Sequence, residues 1–412
     1  MNSSRPFATR LGSVLIATFS PWDSGKRGAT NGMVEPMLDY FCPKTHDVVL
    51  IDQPYPGSDR IIPIIERYKN NKLQSKTNSF ITSILLYPFL LFWNTSGTHI
   101  AFKLRDMLSV LEAVIGSWKR FDLFIGMESV NCLIGIFLKR LGLVSTVVYY
   151  VSDFSPIRYT NKIYNKLYLW LDRFACTHTD FIWDVSKAMH PTRIAIGLEP
   201  NKSAPVIHVP NGLFSYQIRH LSQAKRQKHS LVYAGTLGAE NGPDLALYAF
   251  VKILKRIPDA TLHVYGGSKA QEEALRVLAK ELKIFRNVRF YGLITSLRTL
   301  SKHIEHYQIG LAPYRSFTGS PRLFGDATKI RLYLGASLPV IATDVAPLAK
   351  ELALKRCVLI AEETPQAFAS TIIKLLTNKR TLYNATTRAR QYAKTNTWEY
   401  TYSRALHAMG FN

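Results

Sequence analysis

Short apolar runs of strand length alternate with stretches of helical period along this chain, and that alternation points to parallel sheets covered by helices on both faces. Ser13 to Thr18 and Val48 to Asp52 read as the first strands, followed by Phe121 to Met127, Ser145 to Val151, Phe181 to Ser186 and Val206 to Val209. Helical pattern lies between them, as around Cys132 to Leu141 and over the aromatic stretch Tyr164 to Phe174. A second series runs Leu231 to Ala234, Thr261 to Tyr265, Val288 to Tyr291, Ile309 to Ala312, Val340 to Ala342 and Cys357 to Ile360, with helices predicted over Pro243 to Ile257 and Lys269 to Leu282. Gln217 to Ser230, between the series, is polar and basic with no apolar period, and reads as a linker. After Thr364 the pattern is helical almost to the end. Single cores rarely outgrow about 250–300 residues, so a chain of 412 requires two.

Lys and Arg number 52 against 29 Asp and Glu, a formal charge of +23 that draws the protein toward polyanions such as an anionic membrane face or phosphorylated substrates. No nucleic-acid-binding motif accompanies the charge, so nucleic acid is not an expected partner. Cys42, Cys132, Cys176 and Cys357 are far apart with no C-x-x-C spacing, which gives neither a zinc site nor a disulfide framework and fits a reducing cytoplasm. Met1 to Arg10 lacks the apolar core of a signal peptide. The most apolar run, Phe80 to Trp93, contains Pro88 and falls short of the ~20 residues of a spanning helix. Arg60, Arg67, Lys69, Lys72 and Lys76 precede it, and two readings stay open: an interfacial element on anionic lipid, or a buried helix beside a solvated charged loop.

The stretch Gly325 to Asp344 writes a short helix with its charge reversed. Asp326 reads as the N-cap and Gly335 as the stop, yet Lys329 and Arg331 stand in the first turn, where the macrodipole disfavours cations. Unpaired amides at a helix start beside a lysine make a phosphate cradle. The alternative is a surface helix with two solvated cations.

This segment, T-K-I-R-L-Y-L-G-A-S-L-P-V-I-A-T-D-V-A-P from Thr328 to Pro347, resembles the nucleotide-sugar-binding segment of GT-B glycosyltransferases, the family-4-like group 1. Further matches in order are Asn211-Gly212, Val232 to Leu237 with Gly242, Leu262 to Gly267, Val288 to Gly292, and Trp398-Glu399. The resemblance implies an α/β GT-B fold of two Rossmann-like domains facing a cleft: an acceptor domain over 1–216, the linker 217–230, a nucleotide-sugar domain over 231–385, and C-terminal helices over 386–412 crossing back to the first domain. It implies a cytoplasmic enzyme, peripheral at the inner face of the membrane if the charge acts there. Its partners would be a nucleoside-diphosphate sugar donor and a glycan or polyprenyl-linked acceptor in cell-surface polysaccharide synthesis, with no metal and no other cofactor.

Carried onto this sequence, the resemblance places Gly235, Thr236, Leu237, Gly266 and Gly267 against a diphosphate, although glycine in such loops is equally a turn requirement. Gly292 and Ile294 would bracket the nucleobase. Tyr314, Arg315 and Arg322 would close over the phosphates, the two arginines being either phosphate ligands or surface cations. Thr328, Lys329, Arg331 and Tyr333 complete the donor set. The glutamate pair usual in relatives is replaced by Phe324 and Leu332, which leaves Lys329 as the principal cation; a relative with the same feature is the glucuronosyltransferase of xanthan synthesis.

Glycosyl transfer needs charge stabilisation on the departing β-phosphate and a base for the acceptor hydroxyl. Asp153, ending a strand, is the first candidate base and Glu128, ending another, the reserve; either is alternatively a helix cap. Ser152 stands where retaining relatives carry histidine, which leans toward an inverting displacement. The first loop, Pro21 to Met33, is glycine-rich and basic but lacks both phosphate-binding fingerprints, and is assigned to the acceptor or donor phosphates. A dehydrogenase is disfavoured for the same reason. A sugar-nucleotide epimerase of similar fold and a non-catalytic scaffold remain as rivals.

Overall fold

The computed structural model describes residues 11–28, 33–55, 57–86, 99–317 and 319–411. They divide into two units, one formed by the chain up to Val209 with the residues from Tyr402 on, the other by Pro210 to Thr401.

The first unit holds an eight-stranded sheet in the order β10-β9-β8-β7-β1-β4-β5-β6. Its strands are β1 (Ser13–Ser20), β4 (Asp47–Pro54), β5 (Ile64–Lys69), β6 (Lys72–Asn78), β7 (Phe121–Met127), β8 (Val144–Val151), β9 (Phe181–Asp184) and β10 (Val206–His208); β2 (Trp22–Asp23) and β3 (Lys26–Arg27) form a separate short hairpin. The pairs from β10 through β4 are parallel, as the alternating pattern required. The antiparallel edge, β5 and β6, was not expected. Asn70 and Asn71 both take positive φ, 49° and 62°, in the two-residue turn that matches strand twist. Part of the basic stretch is thereby a sheet edge rather than a solvated loop: Glu66 is buried and paired with Arg27 at 2.9 Å and Lys76 at 2.9 Å. Half of the run Phe80 to Trp93, from residue 87 on, lies outside the described residues.

The second unit holds six parallel strands, β11 (Ser230–Ala234), β12 (Thr261–Tyr265), β13 (Val288–Phe290), β14 (Ile309–Ala312), β15 (Val340–Ala342) and β16 (Val358–Ile360), in the order β13-β12-β11-β14-β15-β16. This is the doubly wound arrangement, and chain progress reverses between β11 and β14. Alternate residues fill opposite faces: Leu231 and Tyr233 join one apolar layer, Val232 and Ala234 the other. Residues 217–230 pack within this unit, where buried Arg226 donates to the carbonyls of Tyr307, Ala336 and Ser337 at 3.1–3.2 Å.

Helix Trp398–Ala408 begins in the second unit and ends in the first. Trp398 closes on Gly212 so tightly that a Cβ there would lie 2.3 Å from the Trp398 nitrogen. Within the first unit, Tyr402 is buried against Tyr40, Tyr150 and Trp183.

Candidate active site

Ligands of doubly wound sheets settle beyond the carboxyl ends of the strands at the point where chain order reverses. In the second unit that point lies between β11 and β14, and the loops leaving them meet. A Cβ on Gly242 would lie 1.8 Å from the Pro313 oxygen, so only glycine admits this approach. Tyr333 wedges the diverging strands, its hydroxyl accepting from the Ala234 nitrogen (2.7 Å) and donating to the Leu311 oxygen (3.1 Å).

Onto this point helix Thr328–Gly335 delivers Lys329. Its side chain is 6% exposed overall as a residue, and its Nζ is buried with no hydrogen-bond partner. The amine stands 3.8 Å from the ring centre of Tyr233 and 5.1 Å from that of Tyr314. Gly235 makes room for it: a Cβ there would lie 3.0 Å from the Lys329 Cε. Burial first, then repulsion from Arg322, pushes the lysine well below its ordinary value, with Glu240 opposing. Arg322 adds a second unsatisfied cationic donor, its buried Nε also lacking a partner. A buried donor without an acceptor is destabilising by about 1–3 kcal/mol, and an anion supplies what both lack.

Glycine lines the strand ends beside this lysine. Gly235 donates to the Tyr265 oxygen at 3.0 Å and Gly266 to the Gly292 oxygen at 2.7 Å, with φ of 140°, 111° and 68° at the three positions. A Cβ on Gly266 would lie 2.2 Å from the Gly235 oxygen, and one on Gly267 2.5 Å from Leu237. These glycines are therefore required by the packing of the loops on one another, whatever else they touch. Gly266→Ala should lower stability by about 1–3 kcal/mol and displace the cradle, reducing nucleoside-diphosphate affinity in calorimetry. Gly142→Ala, at φ 76° with nothing within 4 Å of the added methyl, should cost only the left-handed backbone strain and leave affinity unchanged.

Several expected donor residues have other duties. Asp326 does not cap the helix, whose N-cap is Ala327 without a side-chain bond. Its carboxylate instead accepts from Arg331 Nε at 2.7 Å and from the Asn211 nitrogen at 2.9 Å. Arg331 also donates to the Tyr392 hydroxyl and is 4% exposed, so it is a buried structural cation rather than a phosphate ligand. Tyr333 is the strand wedge described above. Arg315 is paired with Asp244 at 2.7 Å and lies 3.6 Å from Glu363, which fits its reading as a surface cation, here ion-paired, better than as a phosphate ligand. The helix runs through Gly335, and the left-handed residue after it is Ser337, φ 58°. Thr236 is exposed, its hydroxyl accepting from Asn241 at 2.7 Å; Thr328 is exposed at the helix start, and Ile294 packs on the apolar layer beside Gly292.

In the first unit, chain order reverses between β1 and β7, and Glu128 follows β7 directly. It takes φ 66°, strained for a non-glycine residue, at the first position of helix Glu128–Arg140. Gly126 allows this sharp turn, since a Cβ there would lie 2.9 Å from the backbone of Asn131. The Glu128 carboxylate meets Arg158 at 3.0 Å and Lys103 at 3.4 Å. Burial alone raises its pKa, but Lys103 and Arg158 together hold it below the usual carboxylate range. Arg158 also reaches Asp153, which follows β8, at 3.6 Å. The two acids thus share one arginine, a residue with no signal in the sequence, and Asp153 keeps the more open side chain, 43% exposed against 24%.

In the first loop, Arg27 is committed to Asp52 (2.7 Å) and Glu66 (2.9 Å) and is no phosphate ligand; residues 29–32 lie outside the described residues. Among the described residues no three His, Cys, Asp or Glu side chains gather where they can hold a metal ion, and no helix is long and apolar enough to cross a membrane.

Residues 228–378 match the sequence profile of the family described as glycosyl transferases group 1. No curated protein matches the chain by sequence. Among solved structures it is similar to a sucrose-phosphate synthase from Thermosynechococcus elongatus, at 15% identity and TM-score 0.66 over 97% of this chain and 100% of that one. It is similar also to HepE of Anabaena in complex with UDP, at 11% identity and TM-score 0.65 over 97% and 99%. A third is WaaG, a glycosyltransferase involved in lipopolysaccharide biosynthesis, at 14% identity and TM-score 0.61 over 96% and 99%.

Proposed function

We propose that this chain, whose residues 228–378 match the group 1 glycosyltransferase profile and whose fold is that of GT-B structures, is such an enzyme, that its second unit holds the diphosphate of a nucleotide-sugar donor on Lys329 and that a glycan on a lipid carrier is the acceptor. The observation that carries this is the buried, unpartnered amine of Lys329 at the strand reversal, bordered by backbone that only glycine can form. Arg322 is the second cation of the cradle. When the bond from the anomeric carbon to the β-phosphate oxygen breaks, negative charge grows on that oxygen, and a preorganised ammonium in a dry site stabilises it most at that moment. Asp153 is assigned as the base that takes the proton of the acceptor hydroxyl as it attacks. Glu128, neutralised by two cations, is assigned to fixing Arg158 and through it Asp153. UDP occupies the similar HepE structure, which favours uridine donors for the first trials.

The group 1 profile supports transfer over epimerisation or a bare scaffold. Incubation with a panel of UDP-, GDP- and ADP-sugars tests it. Release of nucleoside diphosphate from one of them, slow with water and faster with a lipid-linked glycan fraction, is the expected result. Interconversion of the sugar without diphosphate release would mean an epimerase, and no binding of any of them a scaffold. Membrane association at the cytoplasmic face belongs to the same reading, since a lipid-linked acceptor requires it and the net charge of +23 favours it.

A further inference from the structure

Helix Lys162–His178 carries large apolar residues on the side facing solvent. Ile163, Leu167, Trp170 and Phe174 recur at helical spacing along one face; Ile163 is 76% and Trp170 56% exposed. The opposite face, with Asp172, Ala175 and Cys176, is buried in the first unit. Lys162, Lys166 and Arg173 form an exposed row along one flank of the apolar face, and among the described residues none of them is paired with a carboxylate. Asp172 is the helix's only acid, and it is turned inward and consumed by Arg193 (2.9 Å) and the Tyr149 hydroxyl (2.7 Å). The outer surface is thus apolar and purely cationic. Tyr164 is exposed beside Ile163, and the loop before the helix adds exposed Ile157. At 1.5 Å per residue the helix is about 25 Å long.

We propose that this helix lies in the interface of an anionic bilayer, Ile163, Leu167 and Trp170 entering the headgroup boundary while Lys162, Lys166 and Arg173 meet lipid phosphates. The composition of the face selects this occupant. A second copy of the same face would bring two rows of cations together, whereas acidic headgroups match both the charge and the flat apolar stripe. The inference deepens the membrane part of the function proposed above and names its surface. The same helix is anchored to the candidate acids, since Arg158, bound to Glu128 and Asp153, lies 5.5 Å from the ring centre of Tyr168. Docking it would hold the acid pair near the lipid surface.

The experiment is flotation of the full chain, without donor, on vesicles of phosphatidylglycerol in phosphatidylcholine and on phosphatidylcholine alone. Wild type is expected to float with the first and not the second. Replacing Lys162, Lys166 and Arg173 together by Gln should weaken partition roughly a hundredfold, each cation contributing about fivefold. Ile163→Gln with Leu167→Gln and Trp170→Gln should do likewise. All six residues are exposed, so circular dichroism and the melting temperature should match wild type. Phe80→Gln with Ile84→Gln and Leu85→Gln, on the apolar run that begins at Phe80, should float as wild type does. Wild type that stays in solution with anionic vesicles overturns the proposal, as do charge or apolar variants that float undiminished. A dimer in sedimentation that Trp170→Glu dissolves would assign the face to a second copy. None of these readouts needs donor chemistry, so nucleotide-sugar binding can stand or fall separately.

Discussion

Replacing Lys329 by methionine should lower kcat/KM for the donor by about a hundred- to a thousandfold and at the same time make the empty protein more stable. Both effects come from one amine. With diphosphate bound as proposed, the ammonium would be a full positive charge beside the leaving oxygen, and loss of a preorganised donor of that kind removes stabilisation found mainly in the transition state. Without diphosphate, the same group is buried, lacks a hydrogen-bond partner and faces repulsion from Arg322. Methionine fills similar space against the Tyr233 and Tyr314 rings with no polar atom to satisfy, so a gain of about 1–3 kcal/mol is expected, or a rise of some 2–10 °C in Tm.

The pH dependence gives an independent check on this residue. The folded value of Lys329 lies below the unfolded one, so in the empty protein the unfolded chain binds more protons. Stability contributed through this group therefore rises with pH between the folded value and 10.5, the ordinary lysine value, and is depressed below it. Lys329→Met should flatten that slope. Diphosphate favours the charged form, so binding should take up protons at pH values above the lysine's lowered value in the empty protein. Calorimetry in buffers of different ionisation enthalpy should show a buffer-dependent heat for wild type and none for Lys329→Met.

Asp153→Asn should reduce kcat by about a hundred- to ten-thousandfold, the range for a positioned general base, and leave nucleoside-diphosphate affinity unchanged. The substitution keeps shape and removes the carboxylate's charge, and with it the capacity to take a proton and the ion pair with Arg158. Glu128→Gln is the informative contrast. Its carboxylate is held low by Lys103 and Arg158, which makes it a poor acceptor of protons and a good tether for Arg158. Its loss should lower kcat less than the loss of Asp153. Rates measured on both variants, with diphosphate binding as the control, decide the assignment, and a larger loss in Glu128→Gln would transfer the role of base to that residue.

The parallel strands were legible because buried strands read as apolar runs bounded by turns, and each was placed within a residue or two. The short hairpin β2–β3 was overlooked, and so was the hairpin β5–β6. Its second strand is an exposed edge written Lys72-Leu73-Gln74-Ser75-Lys76-Thr77-Asn78, where polarity masks the strand, and the Asn70-Asn71 turn was the one available signal. Lys329 could be found from a local conflict, a cation where a helix start disfavours one. The fates of Arg331, Tyr333 and Arg315 could not. Their partners, Tyr392, Ala234 and Asp244, lie 61, 99 and 71 residues away, and no local pattern announces such contacts. Arg158 escaped for the same reason, since its role exists only once β7 and β8 set Glu128 and Asp153 within its reach.

The most direct measurement is a crystal structure of the protein with whichever of UDP, GDP or ADP it binds. A β-phosphate oxygen within about 2.7–3.2 Å of the Lys329 Nζ, beside Gly235 and Gly266, is the predicted result. A diphosphate seated elsewhere, with Lys329 still resting unpartnered on the face of Tyr233, would contradict it.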